Sequence, residues 1–213
     1  MKTNTLLAFA LLSLPLLAEQ VPDYPAPEPG SYTLPGIRPA PGGAVIDATG
    51  SARQLKDLTR GRITVLSFIY SRCADPTACP HATGVLRGLH EQSTTDPTLA
   101  DGLRLLSMSF DPEHDRPERM SAYSAIAGES QQGCEWQFLT TASQAALAPI
   151  LADYGQAVSR RSEPASPLGP LNHNLRVFLI DGSGTIRNIY SSGTLDPRLV
   201  MADIRTLLLE KRD

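Results

Sequence analysis

Apolar residues along this chain fall into short unbroken runs that alternate with amphipathic stretches. Residues 63–70, Ile-Thr-Val-Leu-Ser-Phe-Ile-Tyr, are nearly all apolar, β-branched or aromatic, between Gly61 and the polar Ser71-Arg72. Such a run predicts a strand covered on both faces. Pro80 then suits a first helical turn, where its missing N–H breaks no bond. Ala82, Val85, Leu86 and Leu89 share one face of that helix, with His90 on its polar side. A second buried strand is expected over 103–110 and a helix over about 116–126. Ser143 caps a helix over 144–154, which Pro149 is expected to bend. Residues 176–180 form a further strand, Asp181-Gly182-Ser183-Gly184 signals a hairpin, and 185–190 return. Asp196 caps a last helix that opens at Pro197 and presents Leu199, Val200, Ile204 and Leu207 or Leu208.

Strand, helix, strand, helix, hairpin and closing helix is the element order of an α/β, thioredoxin-like fold. It implies a central mixed sheet flanked by helices, here with an added N-terminal hairpin. At 213 residues the chain holds one domain with a substantial core. Residues 1–18 are expected to be an export signal: Lys2 gives a positive start, 6–17 is uncharged and apolar, and Ala18-Glu19 offers a cleavage point. Leu16 departs from the small residue usual three positions before a cut. That stretch is shorter than the roughly 20 residues a bilayer span requires. A Pro/Gly-rich leader follows over 19–43, with seven prolines between Val21 and Pro41, and predicts an extended leader or tether. The thioredoxin-like domain is assigned to 44–213. The expected product is an exported, periplasmic monomer without a membrane span once the signal is removed, or tethered if the signal is kept.

The formal net charge of −3, without any basic run, excludes a nucleic-acid footprint. Export directs attention to Cys73, Cys79 and Cys134, because an odd number in an oxidising compartment leaves one thiol without an internal partner. The pattern suggests a working pair and a spare, Cys134. Cys73 lies just past a buried strand and Cys79 directly before a helix, the crevice where open α/β sheets bind ligands. The other reading of the pair is a structural disulfide. The Cys-x5-Cys spacing makes a looser ring than the Cys-x-x-Cys of dithiol oxidoreductases. Soft thiolates select Cu(I), and imidazole is a usual third donor.

His173 is the candidate for that position. It stands just before strand 176–180, which in this fold runs antiparallel to the strand before Cys73, so both sit at one edge. The plainer account of a lone histidine is a surface or hydrogen-bonding residue. His81 belongs on the first helical turn. His114, among Asp111, Glu113 and Asp115, is either a metal donor or a solvated loop end. Trp136 is expected in the core.

Three segments together resemble the Sco/SenC family. They are Phe68-Ile69-Tyr70-Ser71-Arg72-Cys73 through Cys79-Pro80, residues 107–117 (Ser-Met-Ser-Phe-Asp-Pro-Glu-His-Asp-Arg-Pro), and His173-Asn174 through Asp181-Gly182-Ser183-Gly184. The resemblance covers roughly Tyr32 to the C-terminus. It implies a thioredoxin-like copper-binding assembly factor, with Cys73, Cys79 and His173 as copper ligands. The implied partner is a copper-receiving protein, a cytochrome oxidase subunit or another copper carrier. Asp111 matches the family's acidic residue near the site, and could equally cap a turn. The family pattern has three residues between its cysteines, and this chain has five.

Two other functions use the same residues. One is a thiol-disulfide reductase or redox sensor in which Cys73 and Cys79 are the redox pair; the other is a binding module stapled by a disulfide. A helix N-terminus favours thiolate, so the sequence predicts that Cys79 keeps its charge longest on acidification and that Cys73 is protonated more easily.

Overall fold

The computed structural model describes residues 24–128, 132–163 and 166–210. The expected signal segment lies outside them. The elements are strands β1 (Arg38–Pro39), β2 (Ala44–Asp47) and β3 (Ala52–Gln54), helix α1 (Leu55–Leu58), β4 (Ile63–Ile69), α2 (Cys79–Ser93), α3 (Pro97–Gly102) and β5 (Leu103–Ser109). They continue with α4 (Pro117–Ser124), β6 (Glu135–Thr140), α5 (Gln144–Tyr154), β7 (Val158–Arg160), β8 (Leu171–His173), β9 (Val177–Ile180), β10 (Thr185–Tyr190) and α6 (Pro197–Glu210).

Eight strands form one mixed sheet in the order β1-β10-β9-β4-β5-β6-β2-β3. β4, β5 and β6 run parallel, while β9 is antiparallel to β4, with Ser67 opposite Val177. Every residue of β4 is buried, because its alternating side chains enter two different cores. Val65, Leu105, Val177 and Leu179 face Val85, Leu86 and Leu89 of α2 and Val200, Ile204 and Leu207 of α6. Leu66, Phe68, Leu106, Met108, Phe178 and Ile180 face Leu147, Ile150 and Tyr154 of α5 and Met120 of α4. The result is a three-layer α/β/α domain, with the N-terminal hairpin β2–β3 added at the β6 edge.

β4, β5, β9, β10, α2 and α4 to α6 occupy the expected stretches. The Ser143 side chain accepts the Ala146 N–H, and α5 runs unbroken through Pro149. Asp196 accepts the Arg198 N–H at the start of α6. Strand β6 is an addition to the sequence reading: its first three residues are only half-buried, which hides the buried run that follows. From Tyr24 the proline-rich segment lies along the domain, with a turn in which Ser31 N donates to Glu28 O at 3.1 Å. Ile37 and Ala40 donate backbone N–H groups to Ile186 and Gly184. Gly30 N donates to Thr206 Oγ1 at 3.0 Å and Tyr32 Oη to Asp203 Oδ1 at 2.7 Å. Among the described residues, no helix is long and apolar enough to cross a membrane.

Candidate metal centre

The chain leaves β4 and makes a turn in which Cys73 N donates to Tyr70 O at 3.2 Å. The five residues between the cysteines are ordered by their own side chains. Asp75 Oδ1 accepts from Thr77 N at 3.0 Å and Thr77 Oγ1 at 2.7 Å, and Ala78 N donates to Asp75 O at 3.1 Å. This local turn returns the chain to the start of α2, where Cys79 is the first helical residue and Pro80 occupies the first turn.

His173 closes the site from the other side of β4. Because β9 is antiparallel to β4, the segment entering β9 passes the end from which Cys73 emerges. β8 pairs with β7, Val158 opposite His173, and holds the approach segment in place. His173 Nε2 lies 3.7 Å from Cys73 Sγ and 3.4 Å from Cys79 Sγ. The three donor atoms lie within 4.8 Å of one another, the one such cluster among the described residues. Nδ1 of the ring faces Leu171 O at 3.4 Å. With the proton on Nδ1, Nε2 would offer its lone pair to a metal; in the metal-free site Nε2–H can donate to the Cys73 sulfur instead. Tyr70 and Phe110 pack on the ring at centroid distances of 5.4 and 5.1 Å and fix its plane.

The cysteines are unequal, in the opposite sense to that expected from the helix dipole. Both are free thiols; Cys79 is buried and Cys73 half-exposed. The Cys79 thiol donates to Cys73, and with His173 and nearby backbone N–H groups this holds the Cys73 thiol well below its ordinary value. Cys79 is pushed up by that same pairing with Cys73 and by burial. Desolvation and a neighbouring thiolate outweigh the helix end, so Cys73 carries the charge.

The surrounding residues take other duties. Asp111 is buried and pairs with Arg72 at 2.6 Å, beside Cys73. His81 Nε2 meets Leu195 O at 3.0 Å, outside the cluster. His114 remains in the loop, its backbone N–H on Asp111 O. His90 is buried rather than on a polar face: it lies one turn after Leu86, and its Nδ1 is 3.9 Å from Cys134 Sγ. Trp136 is half-buried and stacks on Phe138.

A thioredoxin-like domain with a Cys–Cys–His cluster at the end of its central strand is the class that fold and site define. The family model described as SCO1/SenC matches residues 44–209, and the chain belongs to that family. It is 24% identical over 132 residues to the SCO1 protein homolog of Bacillus subtilis (strain 168), covering 62% of this chain. The match spans 63% of that relative's length. Among solved structures, Arabidopsis thaliana ScoI with copper bound superposes with a TM-score of 0.63 at 16% identity, over 81% of this chain and 98% of that one. BsSco, described as a member of the Sco family of cytochrome c oxidase assembly proteins with a disulfide switch, gives 0.63 at 18%, over 85% and 98%.

Two outcomes follow from this geometry. Gly169 has φ +94°, and a Cβ there would strike the Tyr70 hydroxyl and meet Arg72 O at 2.6 Å. Gly169→Ala is expected to lower stability by about 1–3 kcal/mol, read from urea unfolding; an unchanged midpoint would contradict the packing of this loop on the cysteine turn. The depressed Cys73 thiol keeps its thiolate as pH falls, until pH passes its folded value. Iodoacetamide should therefore label Cys73 before Cys79, at a rate that barely falls between about pH 8 and pH 6, where a free thiol titrating near about 8.5 slows steeply. Peptide mapping reads the order, and labelling of Cys79 first would reverse the assignment.

Proposed function

We propose that this chain is an exported copper-binding assembly factor that holds copper on Cys73, Cys79 and His173. It passes the ion to a copper-receiving protein, such as a cytochrome oxidase subunit or another copper carrier. The observation that carries this reading is the convergence of two sulfurs and one imidazole nitrogen at the mouth of a crevice. The donors suit a soft monovalent cation: two sulfurs select Cu(I), and three donors leave room for an incoming ligand. Cys73 and the exposed residues around it give a partner access for ligand exchange, while the buried Cys79 retains the ion until exchange is complete. Membership of the SCO1/SenC family supports the same reading.

A second reading has one observation in its favour. A charged, half-exposed thiol beside a buried, protonated one is the arrangement of a thiol-disulfide reductant, with Cys73 as the attacking sulfur. That function does not need His173 as a donor.

Anaerobic titration of the reduced protein with Cu(I) separates the two. One tight equivalent per chain is expected, and His173→Ala should weaken it by about tenfold or more, the scale on which metal sites respond even to lost supporting groups. Absence of binding, or affinity unchanged in His173→Ala, would overturn the copper assignment. A dithiol–disulfide potential near about −270 mV in a protein that binds no copper would favour the reductant.

A further inference from the structure

The cysteine turn rests on a carboxylate that the copper reading leaves unused. Asp115 is fully buried, at the far end of the loop that follows β5. Its Oδ2 accepts the Ser71 N–H at 2.9 Å and the Ser109 hydroxyl at 2.6 Å, and its Oδ1 accepts the Ser71 hydroxyl. Its own N–H donates to Asp111 O at 2.7 Å, and Asp111 N donates to Ser109 Oγ at 3.0 Å. One side chain thus ties the last residue of β5 to the residue two places before Cys73. The neighbouring Asp111 grips Arg72, the residue between, from outside.

We propose that Asp115 is a positioning residue for the metal centre: it fixes the Ser71-Arg72-Cys73 turn so that Cys73 Sγ stands where His173 and Cys79 can share an ion with it. The inference rests on the copper reading but has a readout independent of copper. The backbone before Cys73 leaves the sheet without a strand partner of its own, and the Ser71 N–H is held by this carboxylate alone among the hydrogen bonds of the described residues. Without that acceptor the turn is free to seek water, and the sulfur moves with it. The five-residue span to Cys79 does not replace that bond: its Asp75–Thr77–Ala78 bonds are local, Ala74 N reaches Leu168 O only at 3.5 Å, and none of them holds Ser71.

Asparagine can preserve the geometry. Its carbonyl oxygen takes the Oδ2 role, and its amide donates to the Ser71 hydroxyl, which can accept as well as donate. Alanine removes all three bonds. Asp115→Ala is therefore expected to weaken Cu(I) binding by about 10- to 100-fold, the loss typical of groups that orient metal ligands, and Asp115→Asn to restore most of it. In the metal-free protein, Asp115→Ala should shift the ratio of dithiol to Cys73–Cys79 disulfide several-fold in a dithiothreitol buffer, read by mass spectrometry of that peptide. Ser71→Ala, which removes one hydroxyl from an exit turn and leaves the core intact, carries the test if Asp115→Ala does not fold. It should lower affinity in the same direction, and its effect should vanish in the Asp115→Ala background if both fold. Wild-type affinity and wild-type dithiol ratio in folded Asp115→Ala or Ser71→Ala would overturn the proposal, as would Asp115→Asn failing as badly as Asp115→Ala. If the wild-type protein binds no Cu(I), the copper reading fails, and the dithiol ratio alone decides for or against Asp115.

Discussion

The antiparallel pairing of β9 with β4 is the contact on which the rest of the site depends. Ser67 opposite Val177 sets where β9 begins, and so where the segment carrying His173 passes the exit of β4. The pairing is secured by burial more than by hydrogen bonds. Val177, Phe178, Leu179 and Ile180 alternate into the two cores that β4 also fills, and a slip of one residue would turn each apolar side chain to the wrong layer. The candidate metal centre is thus placed at the rim of the most deeply buried part of the molecule. A half-exposed sulfur can stand at a defined distance from an imidazole carried on a distant part of the chain.

Around that rim the two cysteines divide the work through unequal burial. Cys79 begins a helix whose next turns are packed on the sheet, and its sulfur is out of water; Cys73 sits on a turn that a partner can reach. The Cys79 thiol donates to Cys73, which keeps the proton on Cys79 and stabilises charge on Cys73. A soft cation replaces that shared proton with little rearrangement, because the donors already face one another. The same arrangement in the absence of metal makes Cys73 the nucleophilic thiol, which is why copper carriage and thiol redox chemistry compete as readings of one geometry.

The sequence carried the central strands plainly, since the runs at 63–70, 103–110 and 176–180 have no polar face. His173 was legible once strand direction was considered, although 94 positions separate it from Cys79. Other features were not legible for physical reasons. β6 opens with half-buried Glu135-Trp136-Gln137 and shows an uninterrupted buried run only at Phe138-Leu139-Thr140. His90 belongs to the apolar face of α2, which a polar residue type concealed; its proximity to Cys134 depends on the approach to β6. The charge order of the cysteines is not legible in the sequence, because a helix end can be read there, whereas burial and a thiol–thiol contact cannot. Asp115 lay in an acidic segment that suggested a solvated loop, and only the fold turns its carboxylate inward under Ser71.

The central claim is that two sulfurs and one imidazole form a single preorganised donor set. X-ray absorption at the copper edge of the Cu(I)-loaded reduced protein tests it directly. The account predicts a first coordination shell of two sulfur scatterers and one nitrogen, with the outer-shell pattern of an imidazole ring. A shell of sulfur alone, or one with fewer than two sulfurs, would contradict it.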